Sequence, residues 1–115
     1  MVYTTSGAVA MKAGKNVSAS LTEAHWNNYI KQAEALVNNV ARKNFSGSYA
    51  TYREEVKATM EEIASNIAAI YAIQWDMGGY TRVEAENMIN ILRDAALRGL
   101  SIIKDKKVQD FIDGA

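Results

Sequence analysis

Apolar residues recur every three or four positions along most of this chain, with polar residues between them. That spacing is the period of an amphipathic helix. It is clearest after SLTE, residues 20–23, a capping-box pattern in which the Ser20 hydroxyl can accept from the Glu23 amide. We predict a helix from there to Lys43 and a turn at residues 44–48. Its apolar stripe is Trp26, Tyr29/Ile30, Ala33, Leu36/Val37 and Val40.

The third helix is predicted to be long, from about Ser48 to Trp75. About 28 residues at roughly 1.5 Å each span about 42 Å, whereas a compact domain of this size has a radius of gyration of about 13 Å. Because its second half is apolar around most of its circumference, we expect contacts beyond one chain. Ile67→Asp or Ile70→Asp should then disrupt folding or assembly, since a lone charge would be buried. The main stripe comprises Tyr52, Val56, Met60, Ile63, Ile67, Ile70 and Tyr71 or Gln74.

Two further helices are predicted on either side of these. A short first helix runs from about Thr5 to Ala13, capped by Thr5 or Ser6 and ended by Gly14 in a left-handed conformation. A fourth helix starts at TRVE, residues 81–84, a second capping-box pattern. Gly99 either bends this helix or lets a neighbour approach closely. The apolar side of the fourth helix carries Ala85, Met88, Ile91/Leu92, Ala95, Gly99 and Ile102/Ile103.

The segment QWDMGGY, residues 74–80, lies between the third and fourth helices and has two interpretations. Paired glycines beside an aspartate can form a phosphate loop, which needs a preceding strand and usually a Lys-Ser/Thr at its end. The sequence predicts neither. We therefore interpret Gly78-Gly79 as a corner, where glycine ends one helix and turns the chain into the next.

Together these elements predict an all-α fold, an antiparallel bundle of four main helices including the short N-terminal one, with extended terminal arms. The absence of proline and the 7 glycines among 115 residues favour helices with short connections. We expect a single domain, with an N-terminal arm (1–5), a helical bundle (5–103) and a C-terminal tail (104–115). The apolar group in the tail is either a last helical turn on the bundle or a contact for a partner. The candidate interface residues are Ile63, Ile67, Ile70, Tyr71, Trp75, Val108, Phe111 and Ile112.

Composition argues against several classes of function. The chain has no cysteine for a disulfide or thiolate site, and its single histidine, His25, cannot build a His-rich metal site. The 13 basic and 13 acidic residues cancel, and no basic stripe marks a nucleic-acid surface. No apolar stretch is long enough for a membrane span, and the start lacks the pattern of a secretory signal. Glu54-Glu55 and Glu61-Glu62 indicate a solvated acidic face or one that meets a basic neighbour. We expect no catalytic residue, metal or cofactor.

The order of elements resembles a known family. Thr4 and Thr5 precede a short helix that ends in Ala13-Gly14. A capped helix carries IKQAEALVNNVAR, residues 30–42, and a long helix ends in AAIYAIQWDMGGYTRVEAENMINIL, residues 68–92. The charged segment KDKKVQDFI, residues 104–112, follows. This pattern resembles the small all-helical head–tail connector (adaptor) proteins of tailed bacteriophages and related archaeal viruses.

The resemblance implies a virion structural protein without catalytic activity. It implies a homo-oligomeric ring of about twelve copies that is made in the host cytoplasm and docks beneath the portal protein at the capsid vertex. The ring would provide the seat for the next neck or tail protein, and DNA would pass through its centre without sequence-specific binding. Residues 1–5 and 104–115 would be the arms that reach neighbouring rings.

Two other classes of function fit the same residues. A small dimeric helical module that binds another protein would form a stable dimer and no ring. A helical enzyme or ligand carrier would have a pocket near Trp26, Trp75 and Tyr80. Light scattering separates the first alternative from a ring, and ligand-dependent tryptophan fluorescence tests the second.

Overall fold

The chain folds as an all-α bundle in the computed structural model, which describes residues 2–14, 21–75 and 82–112. Within these ranges every regular element is helical, and the predicted fold class is confirmed. The elements are α1 (Ser6–Ala13), α2 (Glu23–Ala41), a 3₁₀ turn (Ser46–Thr51), α3 (Glu54–Trp75), α4 (Arg82–Ile103) and α5 (Lys106–Ile112).

Helix α3 lies at the centre of the bundle and packs against α4, α2 and α1. Small residues on its second half are fully buried and let the neighbouring backbones come close. Ile63 and Ile67, placed in the predicted stripe, are also buried in this core. The apolar circumference of α3 is thus largely covered within one chain and does not by itself require a second one. The buried alanines are Ala64, Ala68, Ala69 and Ala72.

The start of α3 differs from the prediction. The helix begins at Glu54 instead of Ser48 and has 22 residues, which corresponds to about 33 Å. The preceding residues form the 3₁₀ turn because their side chains have partners elsewhere in the fold. Ser46 donates its hydroxyl to Glu34, and the Tyr49 ring lies 5.2 Å from the Tyr3 ring between centroids.

Two helix starts and one helix end are explained by local chemistry. The Thr5 hydroxyl accepts from the Ala8 amide, and Gly14 ends α1 with a φ of 83°, as predicted. The expected Ser20 cap of α2 is wrong: Ser20 lies outside the described residues, and α2 begins at Glu23 with Thr22 as its N-cap. The His25 imidazole accepts from the Thr22 amide while Thr22 accepts from the His25 amide. A histidine thus takes the place that glutamate usually has in a capping box.

The predicted Gly78-Gly79 corner and the Thr81 cap lie outside the described residues. The segment before them is helix α3 up to Trp75, and α4 begins at Arg82. A phosphate loop requires a strand before its glycines, and the element before these glycines is a helix.

The described terminal segments, residues 2–5 and α5, pack on the bundle of their own chain, whereas arms that reach neighbouring rings were predicted. Residues 2–5 are extended, but Tyr3 and Thr4 are buried and the amides of Val2 and Tyr3 donate to Glu34. In the predicted tail, α5 docks through buried Ile112. Of the two alternatives for the tail, the structure shows the helix on the bundle. Both segments dock because they bring polar groups that find partners there.

Gly99 marks the closest approach of α4 to α3. A Cβ atom at this position would lie 2.4 Å from Cγ1 and 3.0 Å from Cδ1 of Ile63. Ile63 is 2% exposed, so moving its side chain away from a new Cβ would disturb its packing in the core. Of the two roles considered for Gly99, the structure assigns close approach of a neighbour.

We expect Gly99→Ala to lower the free energy of unfolding by about 1–3 kcal/mol, because overpacking outweighs alanine's better helix propensity. Urea unfolding followed by circular dichroism measures this change. Gly7→Ala is the matched control, since its new Cβ would meet no atom closer than 4.0 Å. In an Ile63→Ala background the clash is absent, and Gly99→Ala should instead stabilise. A Gly99→Ala protein as stable as the parent would contradict this packing.

Candidate interaction surface

A shallow apolar groove lies where the first half of α3, the end of α4 and α5 meet. Its volume is about 170 Å³, similar to an apolar cavity that holds a benzene-sized group. The groove can therefore accept one large apolar side chain. Its lining residues are Glu55, Val56, Thr59, Met60, Ile102, Ile103, Val108, Phe111 and Ile112.

Gln109 holds α5 in place beside this groove. Its side-chain amide nitrogen donates to the carbonyls of Ala41 and Ile103, each at 2.9 Å. These are the last residues of α2 and α4, where helix carbonyls lack partners within their own helix. Gln109 thus caps two helices at once and fixes the position of α5.

Phe111 forms the outer edge of the groove and is 58% exposed. The Arg53 guanidinium carbon lies 4.1 Å from the ring centroid, and Arg53 Nη2 donates to the Phe111 carbonyl at 3.1 Å. A cation over an aromatic face attracts its negative quadrupole. Phe111 is consequently fixed in orientation while one side of its ring remains open to solvent.

The outer strip of α3 next to the groove is acidic and solvent-exposed. Glu54, Glu55, Glu61 and Glu62 lie on this strip. Glu62 pairs with Lys12 of α1 at 2.6 Å and accepts from Asn66 at 3.2 Å. The hydrogen bond from Lys12 lowers the pKa of Glu62, and the hydrogen bond from Asn66 makes a smaller contribution in the same direction. Glu54 also lies 3.9 Å from Lys57 of the same helix. Two carboxylates of this solvated strip thus have basic partners within the same chain.

A buried polar cluster surrounds Glu34 of α2. The Glu34 side chain, in a residue 4% exposed, accepts from the amides of Val2 and Tyr3 on Oε1, at 2.9 and 3.1 Å, and from Ser46 on Oε2 at 2.7 Å. Asn38 donates to Ser46 and accepts from the Tyr3 hydroxyl. Burial raises the pKa of Tyr3 to about 12, so its hydroxyl stays protonated at neutral pH. All three donors to Glu34 are neutral, and the cluster attaches the N-terminal segment and the 3₁₀ turn to α2.

The predicted interface residues fall into three environments. Ile63 and Ile67 are in the core, while Ile70 and Tyr71 are half-buried, with the Tyr71 ring 6.2 Å from that of Tyr29. The side chain of Trp75 lies outside the described residues, as does Tyr80 of the pocket considered for a ligand carrier. The groove brings together Val108, Phe111 and Ile112. Of the candidate interface residues, these three are the ones that line the groove together.

Sequence reasoning missed Glu34, Gln109 and Arg53. A signal existed for Glu34, because it follows Ile30 by four positions and precedes Val37 by three, inside the apolar stripe of α2. An acid at a core position needs buried donors. No comparable signal marks Gln109 or Arg53, since their partners are distant in the sequence.

In the described ranges no three His, Cys, Asp or Glu side chains cluster closely enough to hold a metal ion. None of the helices described is long and apolar enough to cross a membrane. No protein-family model, curated protein or solved structure matches this chain.

Proposed function

We propose that this protein is a virion structural protein, a head–tail connector that forms a ring between the portal and the next neck or tail component. The ring would contain about twelve copies, and DNA would pass through its centre. The chain acts by shape and surface complementarity and makes or breaks no covalent bond. The proposal is supported by the resemblance of its helix order to connector proteins and by two exposed apolar surfaces.

The observation that carries the proposal is that Met11 and Phe111, two large apolar side chains at separate places on the surface, are both exposed. Met11 on α1 is 85% exposed and lies on one flank of the outer strip of α3. Phe111 and the groove lie on the other flank. A ring is built from head-to-tail contacts, in which each subunit presents two different patches. Two apolar surfaces on one chain provide such a pair.

The charge distribution is compatible with a DNA channel. The chain has as many acidic as basic residues, and each phosphate contact from a Lys or Arg would add affinity for the backbone. A channel with few such contacts lets DNA slide. The acidic strip of α3 faces either the channel or a basic neighbour in the assembly.

Light scattering on a sizing column tests the ring, first with the protein alone and then with the portal protein encoded by the same genome. We expect a species of about 152 kDa, from twelve copies of 12.7 kDa each, or co-elution with the portal. Phe111→Ser and Met11→Ser should weaken that assembly, because each removes an exposed apolar contact. Leu36→Ser is the matched control, since Leu36 is an exposed apolar residue of α2 away from both surfaces.

Two results would contradict the connector proposal. One is a protein that neither forms a ring nor binds the portal while staying folded. The other is its absence from the necks of purified virions. A stable dimer that ignores the portal would favour the alternative, a small module that binds another protein.

A further inference from the structure

The outer face of α4, opposite the core, carries large apolar side chains in an unusual arrangement. Ile91 is 68% exposed, and Leu97 and Ile102 are also exposed. Asp94 and Arg98 are exposed between them. A helix that faces only solvent normally has polar residues at such positions.

Four of these residues form one stripe. Ile91, Asp94, Arg98 and Ile102 follow each other at spacings of three, four and four, which places them along one side of the helix. In chain order the stripe reads apolar, acidic, basic, apolar. Reading the stripe backwards therefore exchanges the acidic and the basic position and leaves an isoleucine at each end.

This order is self-complementary when two copies of α4 pair antiparallel. A two-fold axis through the middle of the stripe places residue i of one copy opposite residue j of the other. The sum of i and j is then nearly the same for every such pair. For Ile91 and Ile102 the sum is 91 + 102 = 193, and for Asp94 and Arg98 it is 94 + 98 = 192. Each isoleucine then meets the other isoleucine, and each aspartate meets an arginine. Parallel pairing would instead oppose like charges.

We propose that this face docks a second copy of the chain as an antiparallel two-fold dimer. Leu97 lies about 100° around the helix from Arg98 and is therefore outside this contact. Two apolar layers and two exposed ion pairs are few contacts for a protein interface, so the dimer is reversible. The stripe shares Ile102 with the lining of the groove but contains neither Met11 nor Phe111. A two-fold dimer is a different contact from the head-to-tail contacts of the proposed ring, and it goes beyond the connector function.

Charge reversal tests the register of this dimer by sedimentation equilibrium between about 10 µM and 1 mM. Asp94→Arg and Arg98→Asp should each weaken dimerisation by at least about tenfold, because each opposes two pairs of like charges. The double variant D94R/R98D restores both pairs and should return to within about threefold of the parent. Added salt should weaken the parent dimer, since its ion pairs are exposed to solvent.

Arg93→Asp is the matched control. It changes the net charge as Arg98→Asp does, but Arg93 lies about 140° around the helix from Arg98 and donates to Asn90 of its own chain. It should leave dimerisation unchanged, and circular dichroism verifies that every variant is folded. A parent protein that is monomeric up to about 1 mM overturns the proposal, as does failure of the double variant to recover. None of these variants changes Met11 or a residue that lines the groove, so loss of the dimer and loss of the ring are measured separately.

Discussion

Replacing Ile67 by aspartate is expected to unfold most of the protein at neutral pH. Ile67 is 4% exposed and belongs to the central core around α3. A carboxylate at this position would be buried in an apolar environment without a charged partner, which costs about 4 kcal/mol or more. Domains of this size have a free energy of unfolding of about 5–15 kcal/mol. One substitution thus removes a large share of the free energy of unfolding.

Thermal and urea unfolding followed by circular dichroism measures this loss. Ile67→Asn is the uncharged control of equal shape, and it should cost less because only a polar amide is buried. Ile70→Asp compares the same charge one helical turn along α3, where the side chain is only half-buried. It should destabilise less, since water still reaches the carboxylate. An Ile67→Asp protein with the parent melting temperature would mean that Ile67 does not lie in the core.

The effect of Ile67→Asp on folding separates two explanations of the apolar residues in α3. If its apolar residues served mainly a contact between chains, Ile67→Asp would leave a folded monomer and abolish assembly. The structure instead covers Ile67 with elements of the same chain. Loss of folding and of assembly together is therefore the expected outcome, and exposed positions such as Phe111 are the ones that separate assembly from folding.

Local signals predicted the parts of the fold that depend on neighbouring residues. Thr5 and Gly14 bound α1 as expected because a cap needs only the residues within one turn of it. The three- and four-residue apolar spacing likewise located α2 and α4. The same local rule gave the wrong cap for α2, since Thr22 with His25 uses the capping-box spacing with a different acceptor.

Contacts between distant residues explain what the sequence did not predict. The 3₁₀ turn replaces the first turns of the predicted α3 because Ser46 bonds to Glu34 and Tyr49 packs on Tyr3. Gln109 attaches α5 to the ends of α2 and α4 through main-chain carbonyls, which no side-chain pattern reveals. The groove depends on this attachment. Its apolar residues were therefore identifiable from the sequence, whereas their arrangement was not.

Replacing Glu34 by leucine is expected to release the N-terminal segment and to lower the free energy of unfolding by about 2–4 kcal/mol. The change leaves the amides of Val2 and Tyr3 and the hydroxyl of Ser46 without their acceptor. Each buried donor without a partner costs about 1–3 kcal/mol, and burial of leucine offsets part of the total. Urea unfolding measures the loss, and hydrogen exchange at Tyr3 reports whether the segment undocks.

Three comparisons identify the cause of that loss. Gln32→Leu, at an exposed position of the same helix, should change stability by less than about 0.5 kcal/mol. Glu34→Gln keeps one carbonyl acceptor and should lose only about 1 kcal/mol. Deleting residues 1–4 should destabilise the parent more than Glu34→Leu does, because it also removes buried Tyr3 and its hydrogen bond to Asn38. The two changes together should cost less than their sum, since both remove the bonds to Glu34. If Glu34→Leu were instead more stable than the parent, the cost of burying the carboxylate would exceed the worth of its hydrogen bonds. The N-terminal segment would then be held by the packing of Tyr3 on Tyr49 and by its hydrogen bond to Asn38.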